Sequence, residues 1–381
     1  MKLSGAGLAV LTLAAMACQG AMAAGYRLRT LAPVADTHVS LAHVLAPTGM
    51  ALGESTVTER CPLSQWVACL VYGHTDRQPR AVLWREAAPQ PQAIRCLDTT
   101  LAPVATWDLP CEATAVNSRG TMVGRSYAGL GAEGRQRVVL WPRADAAPVD
   151  LSPQMEALPE FDSARAVALN DQGWILGRAR LRDTATEYAF VLHDGVAQAL
   201  PNAGAVAIRP VAINATMAVG EGRYESGGQS GLVIWPLSGG AATVRGIASD
   251  VDHVYVSGLS SAGHVTGAFW TPLEGHTTQG YLWFQGRAQI LQTDPGHDSR
   301  GHSVNAAGLV VGTHCASRQD IRGCRASLWT NGLRQDLNKL TTPPAGHVLV
   351  DARAINDRGQ IIGWMTNPAG LMRGYLLTPV P

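Results

Sequence analysis

The sequence predicts an all-β chain built by repetition, and three observations predict it. The 381 residues include 41 glycines and 22 prolines but only 15% charged residues, a mix that suits short strands joined by tight turns. A pattern of small-x-small-apolar-Asn-x-x-Gly-x-apolar-apolar-Gly recurs along the chain. Each copy is followed by a short apolar run closing in Trp or Leu, and then by a further apolar mark, always in that order. Four strands repeating at about 40 to 50 residues read as one blade, so the expected architecture is a seven-bladed β-propeller of four-stranded blades.

The first 23 residues read as a signal peptide. Lys2 supplies the positive start, Leu8 to Ala17 is an apolar run, and Ala21-Met22-Ala23 is a small-x-small cleavage site. A lipoprotein signal at Cys18 fits less well, because Ala15-Met16-Ala17 is a poor lead into it. The apolar run is too short to span a bilayer, and no other segment reaches spanning length. Residues 24–381 are therefore expected as a single propeller domain, periplasmic or extracellular, with no membrane span. The formal charge of +1 excludes a whole-molecule pull toward nucleic acid or anionic membrane, so electrostatic recognition must come from local clustering.

Cleavage would leave six cysteines, Cys61, Cys69, Cys96, Cys111, Cys315 and Cys324. An even count in an oxidising compartment points to disulfides, and proximity in sequence favours Cys61–Cys69, Cys96–Cys111 and Cys315–Cys324. Zinc binding by cysteine would want Cys-x-x-Cys spacings, which are missing.

The clearest repeat runs from Ala352 to Gly363, through Asn356 and Gly359. Ala166 to Gly177, Ala113 to Gly124 and Gly301 to Gly312 repeat it around Asn170, Asn117 and Asn305. Weaker copies centre on Asn214, where Met217 stands in place of the first Gly, on Ser260 and on Ala46. Taken from these markers the spacing is 44 to 53 residues, except for an oversized first unit of 71. Asn-x-x-Gly makes a hairpin, since Asn bonds its own turn and Gly takes positive φ freely. The closing residues Trp84, Trp141, Leu192, Trp235, Trp283, Trp329 and Leu377 would fill the space between blades, with Leu97, Leu151, Leu200, Val244, Leu291 and Leu337 marking the fourth strands. The last copy lacks a fourth strand, and Tyr26 to Leu31 is a spare alternating strand that would complete blade seven and close the ring.

Ala-x-Ala-Ile-Asn-x-x-Gly-Gln-Ile-Ile-Gly followed by an aromatic-ended strand resembles the HAF-repeat family of extracellular bacterial proteins. The resemblance covers nearly all of residues 24–381 and departs at Ala46, Ser260, Met217, Leu192 and Leu377. It implies a repeat fold and no particular activity.

Placing the hairpins on the lower face puts the long loops between second and third strands on the upper face, where binding usually resides. Five residues before the markers stand Arg165, Arg209, Tyr255 and Arg300, together with Glu112 and Asp351; three before stand His43, His302 and Arg353. Arg125 and Arg178 join them from the second strands. Two functional readings follow. Arg125, Arg165, Arg178, Arg209, Arg300, Arg353 and His43 would bind carboxylates or phosphates of an acidic glycan or other anion, with Trp270, Tyr224 or Trp364 stacking on a ring. Alternatively His302 and Tyr255, on adjacent blades, would be the pair in a polysaccharide lyase that removes the α-proton and protonates the leaving oxygen, with arginine neutralising a uronate. Against both stands a structural reading in which Glu54, Glu112, Glu221 and Asp351 pair with these cations. His314 is expected as an exposed loop residue beside Cys315, and His74, His276 and His297 as loop residues without a ligand partner. No metal or other cofactor is expected, a monomer is, and the upper loops would serve equally to dock a protein.

Overall fold

The computed structural model describes residues 25–35, 37–59, 75–88, 90–97, 111–128, 135–182, 184, 186–224, 229–247, 253–270, 277–316 and 323–380. These residues form seven four-stranded antiparallel sheets, six of them meanders in chain order. Blade one comprises Val39–Leu45, Ala51–Glu59, Thr75–Trp84 and Gln92–Ala93. The inner strands of blades two to six are Cys111–Val116, Phe161–Leu169, Ala207–Ile213, His253–Leu259 and Asp298–Val304. Blade seven takes Val348–Ile355, Ile361–Thr366 and Met372–Val380 from the C-terminus, and Gly25–Leu31 as its outer strand. Gly25 pairs with Val380 and Leu31 with Gly374, so the ring closes as the spare N-terminal strand predicts. The oversized first unit yields one blade; segments 60–74 and 98–110 of it, and residues 1–23, where the sequence reads as a signal peptide, lie outside the described residues. No helix among the described residues is long and apolar enough to cross a membrane.

The marker residues build the lower hairpins. In blade two the N–H of Asn117 donates to Thr121 O and that of Gly120 to Asn117 O, with Gly120 at φ +80°. The Asn117 side chain accepts from the N–H groups of Arg119 and Thr121. Asn170, Asn305 and Asn356 do the same, and their amide nitrogens reach the next blade: Asn170 donates to Asn214 O at 2.8 Å, and Asn356 across the closure to Ala46 O at 3.2 Å. Asn is thus used for both ends of its amide, as a turn former and as a bond between blades. Blade four departs from expectation. Asn214 N bonds Met217 O, so the hairpin is one residue shorter and the turn Gly is deleted rather than replaced.

The last Gly of the motif has a separate cause. Every inner strand carries a β-bulge between the residues four and two before the marker, as at Ala113/Ala115 and Gly301/Ser303. The bulge thrusts the preceding carbonyl against the second strand. A Cβ on Gly124 would lie 1.8 Å from Glu112 O, and one on Gly312 would lie 1.9 Å from Arg300 O. Only glycine leaves room there.

Seven apolar clusters each occupy the wedge between two successive blades, so the molecule has no single central core. Trp84, Trp141, Trp235 and Trp329 are fully buried in them. Each donates its indole N–H to a carbonyl of the chain leaving the preceding blade: Ala32, Arg95, Pro201 and Gln292 respectively, at 2.7 to 2.9 Å. Burying about 200 Å² of indole contributes roughly 5 kcal/mol of gross hydrophobic driving force per Trp. Leu192 and Leu377 occupy the same register in blades three and seven. The marks on the fourth strands need two corrections. In blade one Ile94, not Leu97, follows the outer strand and is buried, and in blade four Val244 points outward while Ile247 is buried. Cys96–Cys111 and Cys315–Cys324 are disulfides; Cys61 and Cys69 lie outside the described residues. The two bridges fit a secreted or periplasmic protein.

Candidate functional site

Five residues before each marker the inner strand meets its second strand directly, and this register decides what the upper cations touch. Glu112 faces Arg125, Arg165 faces Arg178, and Arg209 faces Glu221; Arg300 faces Thr313 and Asp351 faces Trp364. Directly opposed side chains share one face of the sheet, so opposite charges pair across it.

Arg125 Nε binds Glu112 at 2.9 Å and its Nη1 donates to Tyr127 at 3.1 Å. Burial works against this guanidinium, but Glu112 and Tyr127 outweigh it and raise its pKa. Arg209 forks onto Glu221 at 2.7 and 2.8 Å and also donates to Val256 O of the next blade at 2.9 Å. The hydrogen bonds it donates to Glu221 raise its pKa against the effect of burial. Arg178 turns to Glu187 at 2.7 Å, away from the like charge opposite. His43 lies 3.8 Å from Glu54 and edge-on to Trp364.

Blade seven holds the most concentrated group. Asp351 is buried and takes His302 Nδ1 at 2.9 Å, the Thr313 hydroxyl, and Arg353 at 3.5 Å. Burial opposes its charge, yet His302, Arg353 and Thr313 together bring its pKa down to about 2. Arg353 also lies over the Trp364 ring at 4.6 Å, while the Trp364 indole donates to Ala42 O. Trp364 is thereby covered as a stacking platform.

Five of the seven arginines and histidines that sequence placed at the mouth as binders therefore hold carboxylates: Arg125, Arg178 and Arg209 by hydrogen bonds, Arg353 and His43 at longer range. His302, from the lyase reading, does so too. Arg300 is exposed, Arg165 is half-buried, and neither has an ion-pair partner among the described residues. Tyr255, on the inner strand beside that of Arg300, is 44% exposed. Several of these side chains also serve the fold. Thr114 donates to Ala166 O at 2.9 Å, and His302 Nδ1 lies 3.2 Å from Ala352 O, so inner-strand carbonyls are capped from the preceding blade.

A second cluster was missed by sequence reasoning. His314 is buried, not an exposed loop residue, and its Nε2 lies 3.4 Å from Asp294 Oδ2. His297 Nδ1 is 3.9 Å from the same oxygen, and Arg334 Nη2 is 3.3 Å from it. Burial, then Arg334, lowers the pKa of His314. The available signal was Asp294-Pro295-Gly296-His297, a turn sequence that closes with His297 N donating to Asp294 O and Gly296 at φ +75°. His74 and His276 lie outside the described residues.

No family model matches the chain, and no curated protein matches it in sequence. Solved structures do. An acylaminoacyl peptidase in complex with a chloromethyl ketone shares 8% identity over 90% of this chain, with a TM-score of 0.57. An ulvan lyase of polysaccharide lyase family PL25 shares 9% identity over 93% of this chain and 96% of its own, with a TM-score of 0.48. TolB from Acinetobacter baumannii shares 11% identity over 79% of this chain, with a TM-score of 0.43. This chain spans 60% of that TolB and 51% of the peptidase. At such identities the likeness extends to the β-propeller fold and no further.

Proposed function

We propose that the chain is an exported HAF-type repeat propeller, monomeric, that binds an anionic ligand such as an acidic glycan at its upper, loop-rich face. The observation that carries this reading is the exposed, uncompensated guanidinium of Arg300 beside the exposed ring of Tyr255 on the neighbouring inner strand. Arg125, Arg178, Arg209 and Arg353 are spent on carboxylates, so a ligand carboxylate, sulfate or phosphate finds an open fork at Arg300, with Tyr255 flanking it. The test is binding of the purified protein to a panel of uronate-containing polysaccharides by calorimetry. Arg300→Ala should weaken binding by about tenfold or more with unchanged unfolding behaviour. Arg209→Ala should instead lower stability, because it strands Glu221 and Val256 O. Binding that survives Arg300→Ala overturns the assignment.

One observation favours a second reading, a polysaccharide lyase. Asp351 holds His302 by Nδ1, while His302 Nε2 has no partner among the described residues. In that reaction Nε2 removes the proton α to the uronate carboxylate, the bond to the leaving oxygen breaks, and Tyr255 protonates that oxygen. The unsaturated product absorbs in the ultraviolet; a panel that stays dark leaves the binding module.

A further inference from the structure

We propose that Asp294, His297 and His314 form a site for a divalent transition metal such as zinc, at the junction of blades five and six. One carboxylate oxygen and two imidazole nitrogens all lie within 4.8 Å of one another there. Metal–ligand bonds of about 2.1 Å in a tetrahedral site put ligand atoms roughly 3.4 Å apart. His314 Nε2 and Asp294 Oδ2 already stand at 3.4 Å, and His297 Nδ1 at 3.9 Å from the same oxygen. A small rotation of the half-exposed His297 ring would complete the triangle. His297 Nδ1 is itself buried without a hydrogen bond, an unsatisfied ring nitrogen beside the cluster.

The Asp294 N–H donates to His314 Nε2 at 3.4 Å, so Nε2 is the unprotonated ring nitrogen, and a metal would displace this long hydrogen bond. The Asp294 loop is fixed before any metal arrives. Trp329 donates to Gln292 O, Gln292 N to Gly332 O, and Arg334 N to the Gln292 side chain. Arg334 Nη2 donates to the same Asp294 oxygen at 3.3 Å, so a metal taking Oδ2 would share it with this guanidinium or move it to Oδ1. Two imidazoles and one carboxylate suit zinc, cobalt, nickel or copper and disfavour calcium and magnesium, which want several oxygens. The half-exposed Asp294 side leaves a fourth position open to solvent.

The protein, purified with its disulfides formed and stripped with chelator, is titrated with Co(II) and with Zn(II), following the visible bands of bound cobalt and the heat of zinc binding. One equivalent should bind, with zinc raising the melting temperature and calcium leaving it unchanged. His297→Ala and His314→Gln should each weaken zinc binding by about 100-fold or more, while His347→Ala on the next connection should not. His314→Gln tests a buried position and His297→Ala a half-exposed loop, so misfolding of the first leaves the second decisive. No cobalt spectrum in the wild-type protein, or zinc affinity unchanged in His297→Ala, overturns the proposal.

Discussion

Replacing Gly124 by alanine tests the reason for the last glycine of the repeat. The added Cβ would stand 1.8 Å from Glu112 O and 2.9 Å from Ala113 Cα, both backbone atoms of the bulged inner strand. A carbon and an oxygen do not approach below about 3 Å, so the carbonyl must retreat by about 1.2 Å. Overpacking typically costs about 1–3 kcal/mol, and here no flexible side chain can absorb it, so about 3 kcal/mol or more is expected. Gly120, four residues earlier in the same blade, is the control. It sits at φ +80° but a Cβ there meets nothing within 4 Å, so Gly120→Ala pays only the left-handed backbone penalty, about 1–2 kcal/mol. Urea unfolding of the oxidised protein, followed by tryptophan fluorescence and far-UV dichroism, measures both. If Gly124→Ala is as mild as Gly120→Ala, the bulge is not what demands glycine.

Two further outcomes follow from the bonds between blades and the buried carboxylate. Asn356→Ala deprives the N–H groups of Arg358 and Gln360 and the carbonyl of Ala46 of their partner, and should cost about 2–3 kcal/mol in the same urea assay; a loss under about 0.5 kcal/mol would refute the role given to this side chain. Asp351 has its pKa lowered to about 2 in the folded protein, against an ordinary value near 3.9, so its ionisation stabilises the fold fully above that ordinary value and the contribution is lost as pH falls through about 2. The wild-type protein should therefore lose about 2 kcal/mol more than Asp351→Asn between about pH 5 and pH 2, and parallel stability curves would refute it.

The repeat was legible in the sequence because its residues answer local demands. Asn and Gly are dictated by a five-residue hairpin, Trp by a wedge of fixed width, and Tyr26 to Leu31 by an edge that must be covered. Local reading also failed locally. A one-residue deletion at Met217 looks like a substitution until the hydrogen bond from Asn214 to Met217 is seen. The motif's final Gly gave no hint of the bulge, since its clash is with a carbonyl on the neighbouring strand.

What the sequence by itself determined was thus the fold class, the blade count, the closure, and the two disulfides that lie within the described residues. It also placed the upper arginines at one height, because a marker fixes the position of every inner-strand residue counted back from it. Only the tertiary structure decided which of those charges remain available. Glu221 lies across from Arg209, Glu187 takes Arg178, and Asp351 collects His302 from the preceding blade, leaving Arg300 and Arg165. The same is true of Asp294, His297 and His314, which two segments of chain bring together at a junction between blades. Periodicity along the chain reports what each blade repeats; charge pairing and metal-ligand geometry depend on what differs between blades, and that is settled by distances across strands.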